Sequence, residues 1–112
     1  MDSGGNYDDR RQYFRLHYPR DSAPGIIING RLFIVLDICE RAIRFQRDAS
    51  RYYQSGQKIT ATLIFHDGSK FEVNGWVGRI YQNEVVVMLL KHIPYQKIIA
   101  EQISIDKKKK TI

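Results

Sequence analysis

Three arginines, Arg10, Arg11 and Arg15, stand within six residues of one another and are interleaved with Tyr13 and Phe14. Guanidinium groups bind phosphate bidentately, pair with guanine O6 and N7, and stack on base faces. The cluster is suited to clamp a guanine nucleotide. From spacing alone, the simpler reading is an exposed basic turn whose aromatic rings pin an arm to the body of the protein. The residue types that carry catalysis are scattered elsewhere. His17, His66 and His92 show neither an H-E-x-x-H pattern nor Cys/His zinc spacing. There is no G-x-S-x-G elbow and no phosphate loop of the P-loop type. The single cysteine, Cys39, has only Arg41 nearby to activate it and reads as a small, half-buried side chain. A binding protein is expected rather than an enzyme, with no metal and no cofactor.

The charge balance narrows the partner. The 112 residues carry 18 Lys+Arg against 12 Asp+Glu, a formal charge of +6. Lys107 to Lys110 supply four of these charges; without them the balance is 14 minus 12, or +2. A nucleic-acid surface would spread its cations over a face or groove, so a nucleic-acid partner is not expected. A composition that is 43% hydrophobic and 27% charged belongs to a globular chain, and the length suits one small domain. No stretch approaches the roughly 20 apolar residues of a membrane span. The opening MDSGGNYDDRR lacks the apolar region of a secretory signal. One cysteine cannot form an internal disulfide, so a reducing, cytoplasmic setting is expected.

Periodicity indicates the elements that must position these residues. Residues 1–9 read as a leader and residues 10–20 as an arginine-rich arm that ends in the Pro19-Arg20 pair. Ile26 to Ile28 and Leu32 to Ile38 are β-branched runs separated by Asn29-Gly30, a strong hairpin signal. The apolar pattern resumes at Ala42 to Phe45, and residues 46–56 form a polar connection. From Lys58 to Phe65, Ile59, Ala61, Leu63 and Phe65 share one face. Asp67-Gly68 turns the chain into Lys70 to Ile80, with Phe71, Val73 and Val77 inward and Lys70, Glu72, Asn74 and Trp76 outward. An outward Trp76 can stack a base or anchor a partner; packed beneath the arm or the helix, it would do neither. Gly75 and Gly78 within that strand indicate a bend or bulge. Val85 to Leu90 reads as a run buried on both sides, or nearly so. Pro94 opens a helix over 94–106, whose apolar stripe is Ile98, Ile99, Ile103 and Ile105, with Ile105 near its edge. Residues 107–112 read as a solvated basic tail. About six antiparallel strands and one helix make a mainly β chain, a small closed barrel over 24–91 with the helix covering part of it.

RRQYFR resembles the first signature of the PilZ domain family, R-x-x-x-R, often preceded by a further arginine. Arg11 and Arg15 take its two fixed positions and Arg10 the extra one. At the place of the second signature, [D/N]-x-S-x-x-G, stands Asp37-Ile38-Cys39-Glu40-Arg41-Ala42, which keeps the acidic residue and carries Cys39 and Ala42 at the serine and glycine positions. The Asp67-Gly68 hairpin, the Gly75-Trp76-Val77-Gly78-Arg79 strand and Ile93-Pro94 before the helix follow the family's order, so the resemblance covers roughly residues 8–106. It implies a six-stranded antiparallel PilZ-type barrel with one C-terminal helix, and a receptor for cyclic di-GMP, a bacterial second messenger of motility and biofilm signalling. By that resemblance Arg11 and Arg15 bridge phosphates and guanine edges, Arg10 stacks on or bonds to a base, and Asp37 accepts from guanine N1–H and N2–H. Position 39 offers a hydroxyl in the family, and position 42 lets the ligand approach the backbone. The ligand would order residues 8–20 against the barrel, and the signal would pass to a protein partner. A second reading, favoured by Cys39 and Ala42, is a PilZ-fold interaction adaptor with weak or no nucleotide binding. A small barrel stacking single-stranded nucleic acid ranks third, because only Trp76 is placed as an outward aromatic.

Overall fold

The computed structural model describes residues 14–48 and 51–110. The leader, Arg10 and Arg11 lie outside them. Hairpin chemistry starts the sheet. Asn29 and Gly30 take positive φ angles of 53° and 78°, the backbone of a type I′ turn, and join β2 (Gly25–Ile28) to β3 (Arg31–Ile38). Ile26 faces Phe33 and Ile28 faces Arg31 across this pair. A second hairpin turns at Gly68, φ 86°, between β5 (Lys58–Ile64) and β6 (Lys70–Ile80). Two further strands, β4 (Ala42–Gln46) and β7 (Glu84–Leu89), pair with each other.

Strand order around the sheet is β3-β2-β5-β6-β7-β4, and β4 pairs again with β3. Closure removes the free edges that an open sheet of this size would present. A short seventh strand, β1 (Leu16–His17), is added beside the end of β3, with Leu16 opposite Ile38 and His17 opposite Asp37. The result is the expected mainly β architecture: a closed six-stranded antiparallel barrel, one extra strand and one C-terminal helix. Phe45, Ile26, Leu63, Val77 and Ile98 are among the side chains that fill its interior.

Three details differ from the sequence expectation. β7 alternates between buried and half-buried positions instead of being covered on both sides, and Leu90 just beyond it is 67% exposed. In a barrel wall only one face of each strand meets the core. The helix, α1, runs from Tyr95 to Lys110 and so continues past 106. Its buried stripe is Ile98, Glu101 and Ile105, whereas Ile103 is 49% exposed. Ile105 is thus central to the packed face rather than at its edge. An acidic residue occupies that stripe because partners on the barrel satisfy its carboxylate: the Tyr18 hydroxyl donates to Oε2 at 2.7 Å and the His66 backbone N–H to Oε1 at 3.0 Å.

Candidate functional site

Two irregularities in the barrel wall set the site. Between β3 and β4, Val35 faces Phe45 and Ile38 faces Ile43, all of them core residues, but the register shifts between Val35 and Asp37. Strict alternation from Val35 would send Asp37 into the core. The bulge instead turns the Asp37–Arg44 pair to the outer face. Between β6 and β7 the register shifts again, between Val77 and Arg79. Val77 is core and Ile80 packs against the core, so the extra residue leaves both Gly78 and Arg79 facing out. The glycines of β6 therefore mark one bulge, at Gly78, and one close approach. A Cβ on Gly75 would stand 1.9 Å from the Met88 carbonyl oxygen, too near for any side chain.

The outer faces of β3, β4, β7 and β6 bound a cavity of about 580 Å³. Arg15 enters it from the residue before β1, and Leu16, buried beside Ile38, anchors that segment. Asp37, Cys39 and Ala42 line it from the β3–β4 connection, a tight turn in which the Cys39 N–H donates to the Ala42 carbonyl at 3.0 Å. That connection is tied down on its other side by Leu89 N–H donating to the Arg41 carbonyl and Ile93 N–H to the Glu40 carbonyl. Trp76, 39% exposed, lines the cavity from β6. Of the residues expected to form a site, Arg15, Asp37, Cys39, Ala42 and Trp76 thus share one cavity, and Arg10 and Arg11 lie outside the described residues.

Sequence reasoning did not single out Arg41, Arg44, Arg79 and Tyr81, which line the same space. Arg44 has a signal in retrospect: it alternates with Ile43 and Phe45 and so must face outward. Arg79 has none by alternation, because period two from Val77 sends it inward; the bulge reverses that.

The charges are arranged unevenly. Asp37, only 6% exposed, receives the Arg44 Nη2 donor on Oδ2, and His17 Nδ1 lies 3.4 Å from the same oxygen. Arg44 also donates from Nη1 to Glu84 Oε1 at 3.2 Å, while its buried Nε has no hydrogen-bond partner among the described residues. The resemblance gives Asp37 to a guanine edge; in the structure its Oδ2 is engaged by the protein itself. Arg79 donates from Nη1 to the Tyr81 hydroxyl at 2.8 Å, and its guanidinium carbon lies 5.8 Å from that ring's centroid. Four arginines against one carboxylate make the lining strongly cationic, and Trp76 and Tyr81 supply flat apolar surface. Such a site can hold an anion that also carries aromatic rings. Among the described residues no cluster of three or more His, Cys, Asp or Glu is placed to hold a metal, and no helix is long and apolar enough to cross a membrane.

No family model and no curated protein sequence matches the chain. Solved structures do. The Bacillus subtilis inhibitor of motility, MotI/DgrA, superposes with a TM-score of 0.68 at 17% identity, over 85% of this chain and 52% of that one. This chain thus spans about half the length of that neighbour. An uncharacterised Legionella protein superposes with a TM-score of 0.62 at 14% identity, over 87% of this chain and 98% of its own. At these identities the likeness establishes the shared fold.

Proposed function

We propose that the protein is a cyclic di-GMP receptor that signals to a protein partner by contact. The observation that carries this reading is convergence. Four residues taken through the PilZ resemblance, Arg15, Asp37, Cys39 and Ala42, and Trp76, placed outward by strand alternation, line one cationic cavity of about 580 Å³. Arg15 takes a phosphate or a guanine edge, Trp76 stacks a base, and the Asp37 carboxylate accepts from guanine donors. Arg10 and Arg11, from the same arm, complete the clamp. The shared fold with a protein named as an inhibitor of motility supports regulation through a protein target rather than catalysis.

Isothermal titration of the full chain with cyclic di-GMP tests the proposal. Saturable binding is expected, and weaker binding for Arg15→Ala. Absence of heat at tens of micromolar ligand, with folded protein, overturns it.

A second reading, an adaptor with little or no nucleotide affinity, is favoured by two features of the same cavity. Asp37 Oδ2 is already held by Arg44, and Cys39 stands where a hydroxyl would donate. Loss of one hydrogen bond to a charged group costs roughly 1.5–3 kcal/mol, about one to two decades of affinity. The double change Cys39→Ser with Ala42→Gly separates the readings. A large gain in affinity identifies a crippled natural site, whereas little change leaves the receptor reading in place.

A further inference from the structure

The cavity's guanidinium groups are not equivalent, and the difference identifies a second anion contact that the PilZ resemblance does not assign. Arg44 is committed to Asp37 and Glu84. Arg15 and Arg79 have no carboxylate partner among the described residues. They reach the cavity from different strands of the wall, Arg15 from beside β3 and Arg79 from β6, with β4 and β7 between.

Arg79 is also preorganised. The bulge between Val77 and Arg79 turns its side chain outward, and Gly78 places no side chain between it and Trp76. The Tyr81 hydroxyl takes one Nη1 donor at 2.8 Å, with the guanidinium carbon 5.8 Å from the ring centroid. One contact to Nη1 leaves other N–H groups of the fork free for a bidentate acceptor. A side chain already restrained loses less conformational entropy when it binds.

We propose that Arg79, positioned by Tyr81, binds a phosphate of the ligand on the β6 side of the cavity, next to the base carried by Trp76. This rests on the receptor reading above and extends it. The ligand is held as a dianion by two separate guanidinium groups, Arg15 on one flank and Arg79 on the other. Tyr81 acts through Arg79 and is a positioning residue.

The test is titration of cyclic di-GMP into wild type, Arg79→Ala, Arg79→Lys and Tyr81→Phe at low and high ionic strength, with thermal melts as a check on folding. Arg79→Ala is expected to weaken binding roughly 10- to 100-fold and to reduce the dependence of affinity on ionic strength, because one ion contact is gone. Arg79→Lys keeps the charge but loses the fork and should fall between wild type and Arg79→Ala. Tyr81→Phe should cost only a few-fold. A purely structural role for Arg79 would move the melts and leave the ionic-strength dependence intact. If Arg79→Ala binds cyclic di-GMP as wild type does, with the same salt dependence, this inference is overturned and the receptor reading stands. If wild type ignores cyclic di-GMP but binds cyclic di-AMP, GTP or inorganic pyrophosphate in an Arg79-dependent way, the receptor reading falls and the anion contact stands. If wild type binds none of them, both fall.

Discussion

Two carboxylates are nearly buried in this barrel, and their surroundings are opposite in kind. Glu101 of α1, 2% exposed, takes donors on both oxygens, from the Tyr18 hydroxyl and the His66 backbone, with the His66 ring Nδ1 3.5 Å from Oε1, and among the described residues no guanidinium pairs with it. Among the described residues, Asp37 of β3 takes its contacts on a single oxygen, from the Arg44 guanidinium and the His17 ring, beside a cavity lined by three more arginines. The first arrangement is closed. It ties residues 18, 66 and 101 into one joint, so that helix, barrel and arm hold each other. The second has more cation than anion and a buried donor, Arg44 Nε, with no partner among the described residues. Polar groups satisfied from within stabilise a fold, whereas an excess of one charge beside a cavity invites a ligand.

Substitutions at the two sites should therefore separate stability from binding. Glu101→Ala should have the largest effect on stability, about 2 kcal/mol or more, since it strands two buried donors. Thermal or denaturant unfolding reads that loss, and affinity for cyclic di-GMP should hardly move. Asp37→Asn should do the reverse. Its ligand affinity should drop about tenfold by titration calorimetry, while unfolding changes by less than about 1 kcal/mol. Equal effects on stability at both sites would erase the distinction.

Tyr18→Phe sharpens it further. Burial first, and then the bond to the Glu101 carboxylate, hold the Tyr18 phenol well above its ordinary range. As pH rises above about 10 the unfolded chain releases this proton while the folded chain keeps it, so stability must fall with pH. The loss can reach about 1.4 kcal/mol per pH unit. Tyr18→Phe should cost about 1 kcal/mol at neutral pH and show a shallower alkaline slope, measured by denaturant unfolding on either side of that range.

The smallest effect belongs to Asp67, whose carboxyl is held below the usual range by the Lys97 ammonium and then by Ser69. The Asp67 carboxylate is exposed and Lys97 only half-buried, so water and salt screen the pair and weaken it. Asp67→Asn should leave the melting temperature unchanged within error. What little Asp67 adds is present at neutral pH and lost only as the pH falls below the ordinary carboxylate range.

Much of the barrel was legible in the chain. Asn29-Gly30 and Asp67-Gly68 announce their hairpins because few residues tolerate positive φ. The alternation from Ile59 to Phe65 announces a wall with one wet face. The aromatic at Trp76 was placed outward by the same period. Legibility stopped wherever a register changed or distant segments met. Arg79 looks inward by alternation and points outward because of a bulge. Glu101 looks like a surface residue of an amphipathic helix and is buried because Tyr18, 83 positions away, supplies its donor. Ile103 fits the apolar stripe and stays exposed because the helix turns Glu101 to the barrel in its place.

The chain by itself determined its class, its hairpins and the faces of its regular strands, all of which depend on neighbours a few residues apart. The tertiary structure decided which charges meet. Sheet closure and two one-residue bulges brought Arg15, Asp37, Arg44 and Arg79 to one cavity, and a bulge is set by how paired strands accommodate each other's side chains, which no local period encodes.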